Sequence, residues 1–534
     1  MVKALFQALL ACLSVQSMLA ASEYACTRTK VAVLGAGVAG ITAAQALSNN
    51  SVSDFVIIEY NAEIGGRCRW MKFGNDSEAN QYTVELGDNW VQGTGTEDGP
   101  ENPIWTLAKK YNLIGTYSDF SSVQTYGENG QVDYLAKADD FEEAYAYVEQ
   151  DAGIILSENL QDRSFRAGLN LAGYKPTLDP EASAWEWFSF DFEFAQTPDV
   201  SSQEFAVVNN NASLYGFSED NYFVHEPRGF NTFIRGEAST FLTPSDPRLL
   251  LSTIVTNISY TPEGVTITND DGSCISADYA ICTFSVGVLQ SDLVTFDPPL
   301  PQWKRIAIET FQMAIYTKIF FQFPPDRIFW NSSYQYLLYA SPQRGYYPIF
   351  QPLDLPDFLP GSGIFFATVV TDQSRRIEAQ SDERTKSEIL AVLRQMFGDE
   401  NVPDPIDFMY PRWGQTPWAR GSYSNWPPGL TLEGHQNLRA NVDRLWFAGE
   451  ATSQQYFGYL QGGYLEGKGT GERVATLVNG GLGEGDTRVE GEVQGDEARY
   501  EVLKGTTTIE EYGPFNGWYV SSFQEGEDEE EGGF

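Results

Sequence analysis

Gly35, Gly37 and Gly40 close a short apolar run, KVAVL, and open an Ala-rich stretch; Glu59 ends the next apolar run 19 residues beyond Gly40. Gly35 permits a tight turn, Gly37 lets backbone approach a pyrophosphate with no Cβ in the way, and Gly40 allows a helix to pack closely on a strand. The free N–H groups that open such a helix face a phosphate. A carboxylate at Glu59 would accept from both hydroxyls of an adenosine ribose, which disfavours a 2′-phosphate and so disfavours NADP. A glycine turn alone is a common way to join strand to helix without binding anything. Strand, glycines, helix, strand and acid together describe an adenine dinucleotide site, served equally by NAD or FAD.

Other residues with chemical potential lie far apart in the chain. Gly65-Gly66-Arg67 is a second glycine turn, followed by a cation suited to a pyrophosphate or a flavin-facing loop. FQMAIYTKIFFQF, residues 311–323, holds a single charge, Lys318. An ammonium in such a strand is costly to bury unless paired, hydrated or neutralised, so Lys318 is either a functional group or an edge-strand lysine reaching outward. WEWFSFDFEF, residues 185–194, sets Asp191 and Glu193 among rings, and PRWGQTPWARGSYSNW, residues 411–426, has the Trp and Tyr content to line a cavity. RLWFAGEAT ends an apolar strand on Gly449 and Glu450, and a glycine-led helix follows. The chain has 2 histidines, His225 and His435, too few for a multi-histidine metal site, and a His-dependent triad is hard to build. No metal is expected.

The elements that would position these groups alternate in the manner of an α/β protein. Residues 83–93 read as a strand broken by glycine, and Arg248 to Ile281 as period-two strands with turns at Pro262-Glu263-Gly264 and Asp270-Asp271-Gly272. Residues 96–222 read as loop-rich and aromatic, with one amphipathic helix near Asp139 to Ile154. Ser374 to Phe397 reads as an amphipathic helical stretch without chemistry of its own.

A chain of 534 residues requires two domains or more. Its 73 acids against 34 bases give a net charge of −39, which repels nucleic acid and anionic lipid and attracts cationic solutes. Lys3, the apolar Ala4 to Val15 and the small Ala20, Ala21 and Ser22 read as a signal peptide over residues 1–21, so a secreted, membrane-free product is expected. Sequons at Asn49, Asn75, Asn211, Asn257 and Asn331 suit that route. Residues 481–534 hold 15 acids and 3 bases and read as a disordered tail. Cys26, Cys68, Cys274 and Cys282 remain after signal removal; three pairings are open, and the apolar run around Cys282 suits a buried free thiol.

The glycine unit with Glu59, Gly65-Gly66-Arg67, ELGDNW, SVGVLQSDLVTFDPPLPQWK, MAIYTKIFFQFP, SNWPPG and FAGEAT occur in order from about Thr29 to about Val478. Together they resemble the flavin-containing amine oxidase superfamily, and most closely its secreted plant-type polyamine oxidases. The resemblance implies an α/β (α+β) fold with a Rossmann-like FAD-binding domain in three segments, 28–112, 223–309 and 427–479. A substrate-binding domain with a mixed sheet flanked by helices, 113–222 and 310–426, would interleave with it. It implies that Glu59 binds the adenosine ribose and Val255 the adenine region, with Arg67 and Trp90 near the flavin or its phosphates. Trp413, Gly449, Glu450 and Tyr459 would complete the cofactor site. Lys318 falls on the family's lysine that holds a water at flavin N5. Tyr423 and Tyr459 fall on its paired-ring substrate clamp, and Glu193 on an acid of its substrate tunnel. The polyamine oxidases place a second tunnel glutamate where this chain has Gln92, which can hydrogen-bond an amine but not balance its charge.

The implied reaction moves hydride from a C–H beside an amine nitrogen to FAD. Imine, then aldehyde and a new amine follow, and dioxygen is reduced to hydrogen peroxide. The expected substrate is a small cationic amine of the spermine and spermidine class, and a monomer is expected. Monoamines or L-amino acids are the alternative substrates, and a binding protein on the same fold without catalysis is the alternative of another class.

Overall fold

The computed structural model describes residues 26–96, 99–158 and 160–480, so the signal peptide and acidic tail expected from the sequence lie outside the described residues. An apolar strand, Thr27–Leu34, runs into Gly35 and then into a helix, Val38–Asn49, and the chain returns through Phe55–Ile58 beside the first strand. This parallel unit is the centre of an eight-stranded sheet. Leu249–Leu250 extends it on one side; Cys274–Cys282 and Leu445–Phe447 extend it in parallel on the other. An antiparallel meander, Val255–Thr261, Gly264–Asn269 and Cys274–Cys282, turns where the glycine-bearing turns were read in the sequence. Strands of this sheet thus come from three stretches of chain, 27–58, 249–297 and 445–447.

A second sheet of seven strands draws on 123–131 and 316–409. Its strand Tyr316–Gln322 pairs along its full length with Ile364–Val370, and at its far end with Asp407–Met409. Both faces are covered, so the strand carrying Lys318 is a continuous apolar run rather than an alternating one. A small sheet, Trp90–Gln92 with Asn221–Val224 and Gly115–Ser118, lies in the stretch of chain between the two.

One expectation fails here and two helical readings are sharpened. Beyond the expected amphipathic helix, which is Lys137–Ser157, the described part of 96–222 holds Pro103–Lys110, Phe165–Leu171, Pro180–Glu186 and Gln203–Asn210 instead of loops. These four helices have only seven or eight residues each and start at proline or after a capping Ser, Asp or Asn, so each is too short to show a sustained apolar period. Ser374 to Phe397 is two helices, Thr371–Glu378 and Asp382–Phe397. The break comes at Ser381, whose hydroxyl accepts from the Arg384 N–H and caps the second helix.

The last helix, Leu460–Val478, packs across Val38–Asn49 at backbone distance. A Cβ on Gly467 would lie 2.2 Å from the Ala39 carbonyl oxygen, and one on Gly471 would lie 2.5 Å from that of Ala43. Gly467 and Gly471 are therefore a packing face. Cys26 and Cys274 form a disulfide that ties the starts of two neighbouring strands across 248 residues of sequence, while Cys68 and Cys282 are buried free thiols. The sequon at Asn211 is buried with its amide donating to Glu149, whereas Asn49, Asn75 and Asn331 are exposed and Asn257 is half-buried. Among the described residues no helix is long and apolar enough to cross a membrane.

Closing so long a loop removes much unfolded-chain entropy. The Cys26→Ser, Cys274→Ser double variant should lose about 2–5 kcal/mol of stability, read as a lower Tm in calorimetry. An unchanged Tm would show that the bridge carries no stability.

Candidate active site

A cleft of about 1620 Å³ runs along the C-terminal end of the parallel strands, where open α/β sheets bind their ligands. Gly35, Gly37, Glu59, Gly66, Arg67, Val255, Gly449, Glu450 and Tyr459 all line it. Gly40 stands behind, where a Cβ would lie 1.9 Å from the Gly35 carbonyl oxygen, so its role is the close packing of helix on strand. Gly35 itself has φ +107°, open to glycine at little strain. Two long helices, Val38–Asn49 and Leu460–Val478, start at this cleft, and neither has a side-chain cap. Their first-turn N–H groups suit an anion. Glu59 accepts from the Ala36 N–H at 2.7 Å through Oε2 and from the Asn61 backbone and amide N–H groups at 2.8 Å through Oε1, which fixes its carboxylate at the end of its strand with one acceptor site left on Oε2 for a ribose hydroxyl. A bent, phosphate-ready cleft with a carboxylate at one end fits FAD.

At the cleft's other end the Arg67 guanidinium donates to Glu450 Oε1 at 2.8 Å and to the Ser422 carbonyl at 2.8 Å. Glu450 Oε2 accepts from Ser424 Oγ at 2.5 Å and from the Gly458 N–H at 2.8 Å. Both oxygens of Glu450 are therefore bonded, and Arg67 Nη1 bridges the carboxylate and the Ser422 carbonyl.

A second cavity of about 930 Å³ opens from this junction. Trp90, Gln92, Glu193, Trp413, Tyr423 and Tyr459 line it together, so all of the tunnel residues expected from the sequence except Lys318 meet around one space. Tyr459 donates to Glu193 Oε1 at 2.6 Å and Tyr423 to the Glu193 backbone carbonyl at 2.8 Å. Burial raises the Glu193 carboxyl pKa, opposed by the Tyr459 hydrogen bond. The Gln92 side chain reaches the cavity wall, while its backbone carbonyl accepts from Asn102 at 2.9 Å.

Glu193 is delivered by an irregular segment. Pro180–Glu186 continues into a π-helical turn, Trp187–Asp191, and then into Phe192–Phe194. The widened turn rotates neighbouring acids to opposite fates. Glu186 and Asp191 point into an ion network in which Arg344 donates to Glu186 Oε1 at 2.6 Å and to Asp191 at 2.6 and 2.7 Å, with Arg166 also on Glu186. Burial lifts Asp191 to about 6 against the pull of Arg344. Asp191 is thus structural, whereas Glu193, two residues on, faces the cavity.

Lys318 is 1% exposed and lines neither cavity directly. Its Nζ donates to the Gly87 carbonyl at 2.8 Å and to Asn89 Oδ1 at 2.6 Å, and lies 5.7 Å from the centre of the Trp90 ring. Burial pulls its pKa down from the ordinary lysine range, against the charges of Glu85, Asp88 and Cys68. The edge-strand reading of Lys318 is excluded by this burial. His435 is buried and held neutral, near pKa 3, and His225 bonds Thr116 outside both cavities. Among the described residues no group of His, Cys, Asp or Glu is placed to hold a metal ion.

Sequence reasoning missed Ser422, Ser424, Tyr316 and Asp88, which also line these cavities. Asp88 was visible inside ELGDNW, but its position at the junction is a property of the fold.

The chain matches the family described as flavin containing amine oxidoreductase over residues 38–475. It is 39% identical over 459 residues to polyamine oxidase 1 of Zea mays, covering 82% of this chain and 88% of that one. It is 38% identical to polyamine oxidase 7 of Oryza sativa subsp. japonica, covering 82% and 93%. Among solved structures it resembles a putrescine oxidase variant, with a TM-score of 0.66 at 17% identity over 85% of this chain and all of that one. It also resembles cyclohexylamine oxidase from Brevibacterium oxydans, with a TM-score of 0.65 at 18% identity over 84% and 99%. With a cleft that fits the dinucleotide and an aromatic cavity opening from its end, the chain belongs to the flavin containing amine oxidoreductases and is an FAD-dependent amine oxidoreductase.

Proposed function

We propose that this enzyme is a secreted polyamine oxidase that takes spermine- or spermidine-class amines and dioxygen, releasing an aldehyde, a new amine and hydrogen peroxide. The observation that carries the reading is the Tyr423–Glu193–Tyr459 cluster, which joins two rings and a buried carboxylate inside one cavity. Rings attract an alkylammonium by cation–π contact, and the carboxylate balances a further positive charge. Among the described residues lining that cavity, the single cation is Arg67, and its charge is already paired with Glu450. A cation balanced in this way is a poor partner for an amino-acid carboxylate, which favours amines over L-amino acids. The similarity to plant polyamine oxidases agrees in substrate class.

FAD, when bound, supplies the acceptor for two electrons from the C–H beside nitrogen and returns them to dioxygen. The protein's part is to bind, align and exclude. We assign residues 28–112, 223–309 and 427–479 to cofactor binding, with 113–222 and 310–426 shaping the cavity. Glu59 and Val255 would hold the adenosine end, Gly66, Arg67 and the two helix N-termini the phosphates, and Trp90, Trp413 and Gly449 the flavin surroundings. Glu193 holds the distal ammonium through Oε2, to which no described residue donates, while Tyr423 and Tyr459 align the reacting nitrogen. Lys318 spends two hydrogen bonds on Gly87 and Asn89, and its remaining bonding capacity can hold a water. Gln92 contributes a neutral hydrogen bond where a second acid would give charge.

Secretion draws support from the Cys26–Cys274 disulfide, which suits an oxidising compartment, and from the exposed sequons at Asn49, Asn75 and Asn331. The acidic surface would draw cationic substrate toward the cavity.

A peroxide-release assay across spermine, spermidine, acetylated forms, monoamines and L-amino acids tests the assignment; highest kcat/KM on an L-amino acid or a monoamine would refute it. Glu193→Gln should raise KM for spermine tenfold or more and leave monoamines little changed. Because only the anionic carboxyl attracts a cation, the wild-type KM for spermine should fall as pH rises through the upshifted Glu193 pKa. That dependence should be weaker in the variant. Lys318→Met should retain FAD by absorbance yet slow flavin reduction or reoxidation in stopped flow. Unchanged rates in both half-reactions would remove Lys318 from the chemistry.

A further inference from the structure

The acids of the two cavities differ in how far their bonding is already committed. Glu59 is held by Ala36 and Asn61, Glu450 by Arg67, Ser424 and Gly458, and Glu193 by Tyr459. Among the described residues Asp88 is the one carboxylate that lines both the cofactor cleft and the tunnel, as Tyr423 and Tyr459 also do. No hydrogen bond or ion pair from another described residue reaches it within the distances at which Arg67 meets Glu450. Its surroundings are mixed in charge. Arg67 and Lys318 act on it as cations and Glu450 as an anion, and it in turn acts on Glu85, Cys68 and Tyr423. Burial outweighs the two cations and raises its pKa above the usual aspartate value.

Resting on the reading as an amine oxidase, we propose that Asp88 is the proton acceptor for the reacting ammonium and its counter-charge at the inner end of the tunnel. The substrate's N–H bond breaks, an O–H bond forms on an Asp88 carboxyl oxygen, and the electron pair stays on nitrogen. Charge balances within the pair, since ammonium and carboxylate become amine and carboxylic acid. In a water-poor cavity that neutral pair is favoured over the separated ions. The neutral nitrogen then has the lone pair that its neighbouring C–H needs before giving up hydrogen with two electrons. Asp88 and Glu193 act on opposite ends of the substrate, Glu193 keeping a distal ammonium charged while Asp88 discharges the proximal one. The carboxylate missing at Gln92 is thus offset four residues earlier in the same motif.

Asp88→Asn and Asp88→Glu holoenzymes, checked for FAD content and Tm, test this by anaerobic flavin reduction with spermine from pH 5 to 10. Wild type should accelerate as pH climbs through the raised Asp88 pKa and then level off. Asp88→Asn should be slowed a hundredfold or more at pH 7 and recover only as the amine's own pKa, about 10, is approached. Asp88→Glu should keep the low-pH profile. Binding of a non-oxidisable alkylguanidinium, followed by the flavin difference spectrum, should weaken tenfold or more in Asp88→Asn and not in Asp88→Glu. An Asp88→Asn pH profile that superimposes on wild type overturns the proposal whatever happens to binding. Wild-type enzyme that releases peroxide from no amine overturns the oxidase reading itself, so the two failures are separable.

Discussion

The site depends on one ion pair. Arg67 belongs to the turn that follows the second strand, and Glu450 to the turn after the last, 383 residues later. Through the remaining bonds of the pair, the Ser422 carbonyl, the Ser424 hydroxyl and the Gly458 N–H are held at the same point. Three segments distant in sequence thus meet where the dinucleotide cleft becomes the tunnel. Removing one partner of a mostly buried pair strands the other charge, at a cost of about 3–5 kcal/mol. The pair also neutralises the cavity's cation while holding the junction together.

Around that point, burial does opposite work on groups of opposite charge. It lowers the Lys318 pKa and raises those of Glu193 and Asp88, because each loses more hydration in its charged form than its neighbours restore. Glu186 and Asp191 are more deeply buried than Glu193 and meet two arginines, and burial still raises the Asp191 pKa against the pull of Arg344. Their ion network fixes the π-helical turn, and the turn aims Glu193. A rigid, satisfied network therefore supports a reactive, partly satisfied one a few residues away.

The fold's lateral organisation follows from close backbone approach. Glycines at 463, 467 and 471 lie one helical turn apart, and those at 467 and 471 let the last helix lie on Val38–Asn49, so that both helices open on the same cleft. The Cys26–Cys274 bridge joins two neighbouring strands of the sheet that carries them.

Much of this was legible from sequence because it is local. The strand, glycine turn, helix and acid from Lys30 to Glu59 specify their own geometry, and the 3.6 and 2.0 periodicities mark long helices and meander strands wherever one face is buried. Lys318 stood out because a lone charge in an apolar strand demands a partner, but the partners themselves, Gly87 and Asn89, lie about 230 residues away. The shorter helices of residues 96–222 were hidden because seven or eight residues give too few turns for a period to show, whereas the 21-residue helix Lys137–Ser157 was legible. Cysteine pairing, the burial of Asn211, the separation of Asp191 from Glu193 and the place of Asp88 at the junction were decided only by tertiary structure. Each depends on which distant backbone comes alongside, and a residue's own neighbours in sequence carry no record of that.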